Sequence, residues 1–168
     1  MANTFELIAS STVGAGGAAS IDFTSIPSTF TDLCLEVSVR STGASIDNLA
    51  IKINTSAANF TGKYLVGNGT AASSAAVDIG GQIGLVNGTA TTASTFTNVS
   101  VYIPNYTGSA NKSYSADAVT ENSATTAYAL LIAGLWSQTT AISGITVYGQ
   151  SANLAQYSTA YLYGVKSS

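Results

Sequence analysis

The chain reads as all-β: an antiparallel β-sandwich, jelly-roll-like, of about ten strands. Two observations predict this. Short apolar runs alternate with a period of two, as in Asp32-Leu33-Cys34-Leu35-Glu36-Val37-Ser38-Val39-Arg40, where Leu33, Leu35, Val37 and Val39 all point one way. Turn-forming residues separate the runs, and helical periodicity is almost absent.

Phe5-Glu6-Leu7-Ile8 opens the set. Ser20-Ile21-Asp22-Phe23 follows the flexible Gly14-Ala15-Gly16-Gly17, and Pro27 breaks the chain before the long Asp32–Arg40 strand. Leu49, Ile51 and Ile53 mark the next strand, and Lys63-Tyr64-Leu65-Val66 runs into Gly67-Asn68-Gly69. Asn-Gly accepts positive φ at both central positions, so Asn68-Gly69 and Asn87-Gly88 are expected turns.

Residues 70–95, rich in Ala, Ser, Thr and Gly, have the weakest pattern and read as a long excursion with short irregular strands. Their small side chains, Ala71–Ala76 above all, let a backbone approach a neighbour closely. The segment is therefore expected at the surface, against a symmetry mate or a capsid, rather than crossing the core. Alternation returns at Val99, Val101 and Ile103 and stops at Pro104-Asn105. Ser113–Thr120, Ala127–Trp136, Ile142–Tyr148 and Ser158–Val165 complete the strands. The Ala127–Trp136 run is apolar at nearly every position, which reads as a fully buried strand with Trp136 as a core anchor. No internal repeat or linker is visible, so residues 1–168 are expected to form a single β-sandwich domain.

Composition narrows the function classes. Hydrophobic residues make up 46% of the chain and charged residues only 8%, against roughly 25% in ordinary soluble domains. Such an uncharged surface is expected to be covered by partners. Arg40, Lys52, Lys63, Lys112 and Lys166 are scattered singly, with no basic stripe to neutralise phosphates, so nucleic-acid binding is not expected. No apolar run is long enough for a transmembrane helix, and no signal peptide is visible at Met1–Leu7, so neither membrane nor secretion is expected. Sequons occur at Asn54, Asn59, Asn68, Asn87, Asn98, Asn105 and Asn111, and without a leader they read as chance.

The chain has no histidine and one cysteine. Cys34 has no histidine to activate it and reads as a small inert residue. Asp32 and Glu36 share its strand face but stand roughly 13 Å apart, beyond the roughly 5–9.5 Å of paired-carboxylate glycosidases. Glu6, Asp22, Asp47, Asp78, Asp117 and Glu121 show no pairing in the sequence, and hydrolysis abolished by changing one of Asp22, Asp78, Asp117 or Glu121 would overturn a non-enzymatic reading. Asp47-Asn48 and Glu121-Asn122 lack the spaced oxygens of a calcium loop and fit turns. No catalytic, cofactor-binding or metal residue is therefore assigned, and no enzymatic activity is expected. The tyrosines are more suggestive: Tyr161 and Tyr163 share a strand face, with Tyr148 and Tyr157 nearby in sequence, and tyrosine suits protein interfaces, sugar stacking and ordinary sandwich packing alike.

Several segments in order carry a resemblance: Ala2-Asn3-Thr4-Phe5-Glu6-Leu7-Ile8-Ala9, Ile21-Asp22-Phe23-Thr24-Ser25-Ile26-Pro27, Phe30-Thr31-Asp32-Leu33, Leu65-Val66-Gly67-Asn68-Gly69, Ala133-Gly134-Leu135-Trp136 followed by Ala141-Ile142-Ser143-Gly144-Ile145-Thr146-Val147, and the closing Ser158-Thr159-Ala160-Tyr161-Leu162-Tyr163-Gly164-Val165. Together they resemble a family of small virion structural proteins of tailed bacteriophages, especially those of marine bacteria and cyanobacteria. The resemblance implies a β-sandwich particle component with no catalytic residues. A capsid decoration or cement protein is expected, a homotrimer contacting the major capsid protein or other virion proteins and assembled in the bacterial host cytoplasm. The alternative is a tail fibre or tailspike-type receptor-binding module that recognises a host surface glycan.

Overall fold

Alternating sequence becomes alternating burial in most strands of the computed structural model, which describes residues 4–77, 79–123 and 127–166. The strands in chain order are β1 (Phe5–Thr12), β2 (Ile21–Phe23), β3 (Asp32–Val39), β4 (Asp47–Ile53), β5 (Phe60–Gly67), β6 (Ala72–Ala76), β7 (Gln82–Val86), β8 (Thr97–Ile103), β9 (Lys112–Thr120), β10 (Tyr128–Trp136), β11 (Ile145–Gly149) and β12 (Thr159–Val165). Eight form one sheet in the order β1-β12-β3-β8-β9-β10-β5-β6, and four form the other in the order β2-β11-β4-β7. Every ladder between these strands is antiparallel. The protein is an antiparallel β-sandwich.

The inward faces meet in one continuous apolar cluster. Leu33, Leu35, Val37 and Val39 of β3 lie in it with Val99 and Val101 of β8, opposite Leu49, Ile51 and Ile53 of β4. Full burial of such aliphatic side chains contributes about 1.5–3 kcal/mol each before chain entropy opposes it. Trp136 is buried in the same cluster, as expected of a core anchor.

Three expectations are corrected. The count is twelve rather than about ten, because residues 70–95 contain two regular strands, β6 and β7. Only β6 is a surface strand, exposed along its length at one edge of the large sheet. β7 enters the core: Ile83 and Val86 are fully buried, and Gly84 sits so close to Ala118 and Val99 that a side chain there would not fit. A register shift against β4 between Leu49 and Ala50 breaks the alternation, which is why the segment looks patternless. The second correction is β10, which is buried on one face only: Leu130, Ile132, Gly134 and Trp136 face inward, while Leu131 is 56% exposed.

The third concerns the turns. Asn68-Gly69 forms the expected β5–β6 hairpin, Gly69 taking φ +83° while Asn68 Oδ1 accepts the Thr70 and Ala71 amides. Asn87-Gly88 is not such a turn. Asn87 is fully buried, its side-chain amide donating to Thr95 Oγ1 and the Glu121 carbonyl, so its sequon is closed to modification. Gly88 is required because the backbone of residues 43–45 runs against it.

Candidate functional site

Strand alternation that sends Leu33 and Leu35 inward sends Cys34 and Glu36 outward, and the register aligns these outward residues across the large sheet. One row reads Glu36, Ser100, Asp117, Leu131, Leu65, Ser74, and the next reads Cys34, Tyr102, Ser115, Ala133, Lys63, Ala76. Small residues in the second row lower the surface beside Leu131 and Leu65. The result is a groove of about 520 Å³ lined by Lys63, Leu65, Tyr102, Ser115, Asp117 and Leu131, among others. Leu65 is 50% exposed, so two leucines that are cross-strand partners face solvent together.

Charge elsewhere in the molecule is committed to the fold. Arg40 spreads its guanidinium over the carbonyls of Gly88, Thr91, Thr92 and Thr95 at 2.7–3.2 Å. Lys112 is buried and gives its ammonium to the carbonyls of Gly108 and Ala110, each at 2.6 Å, and Thr139 at 3.3 Å; burial lowers its pKa. Lys166 pairs with Glu6, and Lys52 lies 4.9 Å from the Tyr148 ring centre. Asp22 accepts from Ser20 and Thr146, Asp32 from Tyr102 and the Asn105 amide, and Glu36 from Ser100 and Cys34. Asp47 accepts the Asn48 and Ser151 amides and Glu121 the Asn122 and Ser123 amides, so both Asp/Glu-Asn pairs serve turns. Among the described charged residues only Lys63 and Asp117 have no hydrogen-bond, ion-pair or ring partner, and both line the same groove. Asp78 lies outside the described residues.

Among the described residues no carboxylate pair meets in this groove: Asp117 stands beside Ser100 and Ser115, while Asp32 and Glu36 are occupied on β3 and its neighbours. Cys34 is buried against Glu36, and desolvation followed by that carboxylate pushes its thiol up to about 11, so at neutral pH it is the unreactive thiol. Among the described residues no group of three or more His, Cys, Asp or Glu side chains gathers to hold a metal ion. Tyr161 and Tyr163 lie on the outward face as cross-strand partners of Glu36 and Cys34, Tyr157 is exposed in the preceding loop, and Tyr148 belongs to the other sheet. The four tyrosines do not form one cluster.

Sequence reasoning missed the groove. Its signal was the Ala129–Leu135 run, whose excess of apolar residues over the alternating minimum leaves Leu131 outside. No family model, no curated protein and no solved structure matches this chain significantly.

Proposed function

We propose that the protein is a non-enzymatic structural component of a bacteriophage virion, a decoration or cement protein seated on the capsid surface as a homo-oligomer. One observation carries this reading: the outward face of the eight-stranded sheet is broad, sparsely charged and studded with exposed Phe5, Leu7, Leu65, Val119, Leu131 and Tyr161. Soluble monomers rarely leave so much apolar surface uncovered, and such faces serve association. The ordered resemblance to small virion proteins supports the particle as the setting, with the major capsid protein and further copies of this chain as partners.

Imaging of the intact particle tests the proposal, with density for this chain expected on the head. Density at the tail tip alone would instead favour a receptor-binding module for a host glycan, for which Tyr161 and Tyr163 beside Glu36 offer rings and a carboxylate. Purified protein is expected to leave host polysaccharide intact, and hydrolysis abolished by Asp117→Asn would defeat the non-enzymatic reading.

A further inference from the structure

Lys63 and Asp117 flank β10 on opposite sides: Lys63 is the partner of Ala133, Asp117 the partner of Leu131. They are two strands and two residues apart, roughly 12 Å on an ideal sheet. Between them the surface is Leu131, Leu65, Ala133 and Ser115. The patch is therefore electrically balanced, with one cation, one anion and an apolar centre. A basic or acidic partner would leave one of the two charges facing its like, and a sugar would meet leucines where rings would stack.

We propose that this groove is a contact between two copies of the chain, related by a twofold axis lying in the plane of contact and crossing β10 between Leu131 and Ala133. Rotation about that axis sets Lys63 of each copy against Asp117 of the other. It also brings Leu65 and Leu131 of one copy onto Leu131 and Leu65 of the other. An isologous contact needs this kind of self-complementarity, in which residue i meets j and j meets i. With the axis at β10, only β8, β9, β10, β5 and β6 overlap their mates. Five strands at about 4.8 Å spacing and about 25 Å long give roughly 600 Å² from each partner, the lower end of the range for specific interfaces. Association would give the two unpartnered charges their partners and remove the exposed leucines from water.

Self-association is a property of the purified chain, so it holds or fails independently of where the protein sits on a particle. Sedimentation equilibrium or light scattering should show a dimer at high concentration. Leu131→Glu, at an outward position, should yield a monomer with unchanged circular dichroism. Lys63→Glu and Asp117→Lys should each weaken the dimer by at least about tenfold through like-charge contact, and the double variant Lys63→Glu/Asp117→Lys should restore it. A monomer at every soluble concentration, a trimer, or a double variant as weak as the singles would overturn the twofold contact.

Discussion

The ring of Tyr114 lies over the α-carbon of Gly134, its partner across the β9–β10 ladder, and carries its hydroxyl to the Gln82 carbonyl of the opposite sheet at 3.1 Å. A methyl group at Gly134 would overlap the ring. Gly134→Ala should therefore cost about 1–3 kcal/mol through overpacking, read as a lower denaturation midpoint at unchanged slope. In a Tyr114→Ala background the same substitution should cost much less, since the clash is gone. Equal costs in both backgrounds would show that the two residues do not share this space.

Arg40 holds the 88–95 loop through four backbone carbonyls and the Thr95 hydroxyl. Arg40→Met should leave several buried or half-buried oxygens unpartnered, each costing about 1–3 kcal/mol, and should speed hydrogen exchange within residues 88–95 first. Arg40→Lys should recover only part of the loss, because an ammonium cannot span the same fork of acceptors. Exchange spread evenly over the chain would contradict a local role.

Trp136 is buried, yet its Nε1 has no hydrogen-bond partner among the described residues. Its contribution is thus packing. Trp136→Ala should cost about 3–5 kcal/mol and lower the Tm by about 6–20 °C. An unchanged Tm would mean that the indole does not support the core.

Cys34 couples stability to alkaline pH. Its folded-state pKa of about 11 exceeds the ordinary 9.0, so folding favours the protonated thiol. The resulting stability is fully present below pH 9 and is lost as pH rises through about 11. The stability difference between the native chain and Cys34→Ala should shrink across that window. Tyr114, raised by burial, adds a loss of the same sign to both proteins and cancels in the difference, whereas Tyr102, raised chiefly by its hydrogen bond to Asp32 and partly by Cys34, adds a small loss of the same sign that goes with the thiol. A difference that stays constant would remove Cys34 as a source of pH dependence.

Much of the fold was legible because alternation is a local property. Leu33, Leu35, Val37 and Val39 announce β3 from their spacing alone, and the antiparallel sandwich follows from many such runs. β7 was not legible, since Gln82 and Gly84 are buried where a polar residue and a glycine suggest a loop, and the register shift against β4 erases the period. The groove was hidden for a different reason. A strand apolar on both faces looks the same in sequence whether its second face meets protein or water, and Leu131 meets water. The isolation of Lys63 and Asp117 emerges only after every other described charge has found its partner, which depends on contacts far apart in the chain.

The position of β12 between β1 and β3 sets the timetable of folding. β1 emerges early in synthesis but has no neighbour in its sheet until the latest strand arrives, more than a hundred residues on, with Phe5 aligned to Val165. β2 waits likewise for β11. The Phe5 and Leu7 strand therefore stays unpaired in its sheet until more than a hundred further residues have been made. Such non-local pairing places the protein among slow folders, in the range of milliseconds to seconds, and its unpaired apolar strand is the part most exposed to misassociation before the sheets close.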